Sequence, residues 1–371
     1  MRKQKKLRQL ALILHRYAGI IPGILLVIIG ITGSLLIWAE QIDSFLNAQL
    51  LKVTPNSTQI NIQTVIDTAQ KYYPDFQVHR IIVPQKSDEV YTVMMISPED
   101  ELRDVYLNPY NGEITGERPW NESIGGFLIE LHVNLFAGDI GEKIVGICGG
   151  IFWLISITGI MLWRGWFKLK NALKIRWRSP YQIINYDLHQ VVGIVSVIIL
   201  ILLAFTGAAM IFWTPVESFV YSITNTPLLD AEIQSEIVAN VEPLKIEDIL
   251  QKAKTKFPEG EILKVFPAKQ PEDPVVIWME LPKENEFNKT PWLSFDQYTG
   301  EVLQIDNGKE NSLASRIMNG LAVIHFGKYG GIVTEIIYFL VGLAPLILLI
   351  TGLVIWQQHR WHLARKGRLI Q

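Results

Sequence analysis

Residues 17–39 read YAGIIPGILLVIIGITGSLLIWA, a run without one Asp, Glu, Lys or Arg. A helix that crosses a bilayer needs about 20 mainly apolar residues, so this run is long enough to span. It is too long for the apolar core of a signal peptide. It also closes with Leu36-Ile37-Trp38-Ala39-Glu40, without a small-x-small cleavage pattern. A retained membrane helix is expected. Three further runs share the property, at 144–163, 188–216 and 336–359, and each has Trp or Tyr near an end, where interfacial anchors sit. The whole composition agrees: only 19% of the 371 residues are charged and 49% are hydrophobic, against roughly 25% charged in soluble domains.

The net charge of −2 conceals an uneven distribution. Arg2, Lys3, Lys5, Lys6 and Arg8 precede the first run. Arg164, Lys168, Lys170, Lys174, Arg176 and Arg178 lie between the second and third, and Arg360, Arg365, Lys366 and Arg368 close the chain. Residues 40–130 instead carry 14 acids against 6 bases, and residues 217–316 carry 18 against 10. Lys and Arg collect on the cytoplasmic side of membrane proteins. Both termini are therefore expected inside, with two acidic segments outside. The basic runs read as topology signals, with anionic-lipid contact second and no nucleic-acid partner.

The chain also repeats itself. Leu14-His15, Gly19 and Thr32-Gly33 recur as Leu188-His189, Gly193 and Thr206-Gly207, displaced by 174 positions. Leu131-His132, Thr158-Gly159 and Trp163 recur as Ile324-His325, Thr351-Gly352 and Trp356, displaced by 193. Between them Ile62, Val65, Ile66, Ala69 and Pro74 match Ile246, Ile249, Leu250, Ala253 and Pro258, displaced by 184. Tyr110-x-Gly112-Glu113 matches Tyr298-x-Gly300-Glu301. Each half reads helix, outer module, helix, so the repeat is parallel, with a pseudo-two-fold axis along the membrane normal. The expected domains are 1–44 (N-terminus and first span), 45–126 (first outer module) and 127–180 (second span and basic loop). Residues 181–218 follow as the third span, 219–320 as the second outer module and 321–371 as the fourth span with a basic C-terminus. Each module reads as α+β, with an amphipathic helix from Ile62 stopped before Pro74 and strands at 78–83, 90–96, 105–107 and 113–115. No catalytic cluster recurs in both modules, which therefore read as binding or gating units.

Four of the seven histidines occupy repeat-equivalent positions: His15 with His189, and His132 with His325. Two imidazoles at equal depth, related by an axis, are what a bis-histidine haem needs. Gly19 and Gly193, one turn after their histidines, leave room for a flat macrocycle. The Thr-Gly pairs let helices approach closely or shape the pocket. From His15 to Trp38 a straight helix would measure about 35 Å, placing the two at opposite interfaces. His325 before Gly327, Gly330 and Gly331, and His132 before Gly138 and Gly141, belong on short juxtamembrane segments bent at glycines. The one cysteine, Cys148, excludes an internal disulfide and reads as a packing residue. With no Cys-x-x-Cys-His in the chain, a haem would be held by ligation alone.

Other readings of the histidines stand beside this one. The four could record ancestry with one pair functional. Zinc or copper could use the same imidazoles, although Asp187 and Glu130, the nearest carboxylates, have no matched partner in the other half. His359 and His362 lack counterparts in the first half and read as solvated residues or as reserve partners for His15. His79, whose equivalent is Leu263, reads as structural. A transporter accessory would need ionisable groups at mid-membrane, and the spans hold none outside Glu335 and the terminal histidines.

The start His15-Arg16-Tyr17-Ala18-Gly19, the Thr-Gly pair in each span and modules ending in Tyr-x-Gly-Glu resemble the PepSY-associated transmembrane family, over nearly the whole chain. Members include bacterial inner-membrane ferric-siderophore reductases. The resemblance implies an α-helical membrane protein with four transmembrane helices, two periplasmic PepSY-like α+β domains and two b-type haems. The implied axial ligands are His15 and His189 inside, and His132 and His325 outside. It also implies a ferric siderophore or other ferric chelate as substrate. The short basic loops have no room for a flavin or nicotinamide domain, so electrons come from a separate cytoplasmic reductase or from quinol. The alternative within the family is a non-catalytic anchor or sensor that regulates a partner protein.

Overall fold

The computed structural model describes residues 2–163, 165–167, 172–227, 233–237, 241–282, 284, 289–307 and 312–368. Arg164, Lys168 and Lys170, with the side chains of Arg2, His362, Arg365, Lys366 and Arg368, lie outside the described residues. The first half runs α1 (Arg2–Ile20), α2 (Gly23–Leu36), α3 (Ala39–Leu46), α4 (Ala48–Leu51), α5 (Ile62–Tyr72), β1 (Gln77–Ile82), β2 (Tyr91–Ile96), β3 (Leu102–Leu107), β4 (Ile114–Pro119), α6 (Ile124–Val133) and α7 (Gly138–Leu162). The second runs α8 (Tyr181–Ile211), α9 (Trp213–Ile223), α10 (Ile246–Lys256), β5 (Glu261–Phe266), β6 (Val275–Glu280), β7 (Trp292–Phe295), β8 (Val302–Asp306), α11 (Leu313–Phe326), α12 (Gly331–Gly342) and α13 (Ala344–Arg368). Two compact units result. One comprises Met1–Ile37, Leu128–Val216 and Leu321–Gln371, and the other Trp38–Phe127 and Glu217–Gly320.

The first unit is helical. Gly138–Leu162, Tyr181–Ile211 and Lys328–Arg360 are each long and apolar enough to cross a membrane. The α1–α2 pair makes a fourth span when counted as one, but it is bent by 62°. The expected straight helix from His15 to Trp38 is therefore not what forms. Pro22 sits at the break: it has no N–H to donate, and its ring crowds the carbonyl four residues back. The last span is interrupted too, at Leu343 just before Pro345. Beside this second interruption α2 and α12 pack backbone to backbone. A Cβ on Gly30 would fall 2.5 Å from the Gly342 carbonyl oxygen, and Ser34 Oγ lies 2.9 Å from both the Gly30 and Phe339 carbonyls.

The second unit is one antiparallel sheet of eight strands in the order β4-β3-β2-β1-β5-β6-β7-β8. Each half contributes four strands and a helix, α5 with β1–β4 and α10 with β5–β8, and both sets form one sheet. The join is β1 on β5, where Ile81 faces Val265, residues 184 apart like the matched positions of α5 and α10. One apolar strip follows across six strands: Val105, Val93, Ile81, Val265, Ile277 and Leu293, each fully buried. A strand edge carrying such residues would otherwise invite pairing with a foreign chain. Val65 and Ala69 of α5, with Ile249 and Ala253 of α10, belong to the same core. Asn61 caps α5 by accepting from the Thr64 N–H at 2.8 Å. Gln63 N–H donates to Glu247 Oε1 at 2.7 Å, another pair of residues 184 apart.

The opposite face of the first module carries charge. Successive side chains on a strand point to opposite faces, so Arg80, Asp104 and Arg118, each beside a core-facing position, project from the other side of the sheet. Arg118 Nε donates to Tyr106 Oη at 2.7 Å and Nη1 to Asp43 Oδ1 at 3.0 Å, while Nη2 donates to Asp43 Oδ2. Asp104 Oδ1 and Arg80 Nε are buried without a hydrogen-bond partner. Burial pushes the Asp104 carboxyl up to about 6, against the pull of Arg80 and Arg118. An unfolded carboxyl loses its proton near pH 4. Between about pH 4 and about pH 6 the folded chain thus holds a proton that the unfolded chain has lost, and stability falls as pH rises. Thermal melts across that window should show this slope, and Asp104→Asn should flatten it.

Candidate functional site

Each repeat histidine meets a Thr-Gly pair from the neighbouring helix of its own half. Nδ1 of His15 lies 3.0 Å from the Ile155 carbonyl and 3.1 Å from Thr158 Oγ1. Nδ1 of His132 lies 2.9 Å from the Ile29 carbonyl and 3.0 Å from Thr32 Oγ1. His189 reaches Thr351 Oγ1 at 2.9 Å, and His325 reaches Thr206 Oγ1 at 2.9 Å. The glycine beside each threonine makes the approach possible. A Cβ would stand 2.8 Å from the His132 ring at Gly33, 3.0 Å from His325 at Gly207, 3.2 Å from His15 at Gly159 and 3.4 Å from His189 at Gly352. Sequence reasoning gave these Thr-Gly pairs a general packing role. The sharper signal was numerical: four spans, four histidines and one Thr-Gly per span.

Across the two halves the histidines face one another. The ring centres of His15 and His189 are 6.3 Å apart, and so are those of His132 and His325. One metal ion bonded to two Nε2 atoms at about 2.0 Å, with about 1.1 Å from nitrogen to ring centre, would separate ring centres by about 6.2 Å. Both pairs have that spacing, with Nδ1 already engaged and Nε2 free to ligate. Among the described residues no three His, Cys, Asp or Glu side chains form a metal-binding group. Zinc sites almost always supply four ligands, or three and a water. Two opposed imidazoles suit an ion whose remaining positions are filled by a macrocycle.

A cavity of about 760 Å³ opens at the His15–His189 pair, lined by Gly19, Gly193, Gly23, Gly159 and Gly352 among apolar side chains. That size lies within the roughly 300–1,000 Å³ of cofactor pockets. Nothing stands within 4 Å of where a Cβ on Gly19 would be, and at Gly193 only Leu348 comes near, at 3.6 Å. The space beside these glycines is open. Lys5, Arg8 and Arg16 also line the cavity.

Residues 12–359 match the profile of the PepSY-associated TM region. The chain belongs to that family. No curated protein matches the chain. In this PepSY-associated TM protein His359 lines the same cavity from α13 and is exposed. The ring that faces His15 is His189. His362 has its side chain outside the described residues. His79 stands on β1 with Lys269 Nζ 3.3 Å from its Nδ1 and Phe266 edge-on. Burial first, then Lys269 and Arg80, hold its pKa below the usual histidine value. Cys148 is buried in α7 as a free thiol. Helices α6 and α11, which carry His132 and His325, end in tight turns as the glycines suggested. Gly327 and Gly331 take positive φ after His325, and Gly138 does so after His132. Leu135 and Phe136 also adopt φ near 55°, a conformation that costs non-glycine residues energy and that nothing in the sequence announced.

Proposed function

We propose that this chain holds two b-type haems, one between His15 and His189 and one between His132 and His325. It would thereby pass electrons across a bacterial cytoplasmic membrane to a ferric chelate, such as a ferric siderophore, on the periplasmic side. The observation that carries the reading is the pair of cross-half imidazole contacts, each with ring centres 6.3 Å apart. Haem bound there would supply one-electron transfer between ferric and ferrous iron. The protein's own groups do the rest. Each Nε2 offers its lone pair, each Nδ1 is tethered, and Gly19 and Gly193 leave a flat space beside the first pair. Lys5, Arg8 and Arg16 line the cavity and would neutralise propionate carboxylates.

The basic residues near His15 favour a cytoplasmic position for the first pair, and the acidic segments favour a periplasmic one for the sheet unit. With four spans, both termini lie inside, and electrons enter from a separate cytoplasmic reductase or from quinol. The chelate's iron then leaves more readily, because Fe(II) binds hard oxygen ligands less strongly than Fe(III) does. An absorption spectrum of the detergent-extracted protein tests the reading. Expected are a Soret band, α and β bands that sharpen on reduction, and two haems per chain by pyridine haemochrome. A protein without a Soret band would instead be an anchor or sensor that acts through its sheet unit.

A further inference from the structure

Each of the four threonine hydroxyls lies within hydrogen-bond reach both of its histidine and of a carbonyl in the preceding turn of its own helix. Thr32 Oγ1 lies 2.8 Å from the Ile28 carbonyl, Thr158 Oγ1 3.0 Å from Leu154, Thr206 Oγ1 2.7 Å from Leu202 and Thr351 Oγ1 2.6 Å from Ile347. A hydroxyl has one hydrogen, and a carbonyl oxygen can only accept. With that hydrogen directed to the preceding turn of the helix, each Oγ1 faces its imidazole as an acceptor, so Nδ1 carries the ring proton. The carbonyls of Ile155 and Ile29 make the same demand of His15 and His132. Each ring is then held in one tautomer with its Nδ1 edge anchored. The planes differ between the pairs: His15 and His189 lie at 88° to one another, His132 and His325 at 53°.

We propose that Thr158 and Thr351 in one pair, and Thr32 and Thr206 in the other, are positioning residues that fix the histidine tautomer and ring plane and so make the two haem sites electronically unequal. The inference rests on the haem reading above. Two physical effects follow. An acceptor on Nδ1–H makes the imidazole a stronger base toward the metal, which favours the ferric state. Rings crossed near a right angle interact almost equally with two iron d orbitals, leaving them close in energy. Rings crossed less steeply separate those orbitals. Ferric iron between His15 and His189 should therefore give the more widely spread low-spin paramagnetic resonance spectrum.

The test is paramagnetic resonance and redox titration of the haem-loaded full chain, with single Thr→Val and Thr→Ser replacements in each pair. Wild type should show two low-spin ferric signals, the broader one lost in His15→Ala. Thr351→Val, which removes the hydroxyl bonded to His189 Nδ1, should move only that signal. It should shift the same site's ferrous-to-ferric ratio threefold to tenfold toward ferrous, about 30 to 60 mV for one electron. Thr351→Ser, which keeps the acceptor, should restore both. Loss of haem from that pair alone in the valine variant, recovered in the serine variant, would support the same role. Haem present with signals and potentials unmoved by valine overturns the inference and leaves the haem reading intact. Protein without haem overturns the haem reading, and this inference with it.

Discussion

On the haem reading proposed above, replacing His132 and His325 together by alanine is expected to halve the haem content, from two per chain to one, and to end ferric-chelate reduction while leaving the other site spectroscopically intact. Each pair of rings is brought together by the fold, and no other histidine is found facing either pair among the described residues. The reciprocal change, His15→Ala with His189→Ala, should remove the other haem. Substituting His359 should leave the count at two, because the ring opposite His15 is His189. Haem-to-protein ratios by pyridine haemochrome, taken beside circular dichroism to show that the helices persist, read all three. Full haem content in the His132/His325 double variant would place the second haem elsewhere. Removing a group that only hydrogen-bonds a metal-ligating side chain typically costs the site 10–100-fold in affinity. Removing both proposed ligands should therefore leave no measurable haem at that pair.

The second large effect concerns stability. Arg118→Ala should destabilise the sheet unit by about 3–5 kcal/mol, the usual result of removing one partner from a buried ion pair. The Arg118 and Asp43 side chains are only 12% and 10% exposed. Arg118 also holds the Tyr106 hydroxyl at 2.7 Å and lies over the Tyr106 ring. Its loss leaves Asp43 and Asp104 buried with no guanidinium between them. The paired replacement Arg118→Met with Asp43→Leu should recover most of the loss, since an apolar pair of similar volume often matches a buried salt bridge. Thermal melts and hydrogen exchange in β3 and β4 measure both. Equal loss in the single and double variants would assign the effect to packing rather than to charge.

Much of the fold could be read from particular residues. The uncharged runs marked apolar helices because hydropathy is local and additive along the chain. The α5 and α10 helices and their strands followed from apolar spacing and from Pro74 and Pro258, again local signals. The cross-half pairing of His15 with His189 and of His132 with His325 followed from the repeat, since symmetry converts equal sequence position into facing positions. Pro22 was equally visible, yet a proline inside an apolar run can be tolerated in membrane helices. Only the structure shows that Pro22 breaks this helix, with a bend of 62°, instead of being accommodated within it.

By itself, then, the sequence determined the apolar helices, the two modules, the family and which histidines correspond. Tertiary structure alone decided three things. It joined the modules into one sheet through Ile81 and Val265, because strand pairing between segments 184 residues apart leaves no local trace. It brought each Thr-Gly onto a histidine of another helix, because that contact depends on helix crossing and rotation rather than on spacing. And it set the ring planes at 88° and 53°, because ring orientation depends on how the helices that carry the histidines pack, which no one-dimensional pattern records.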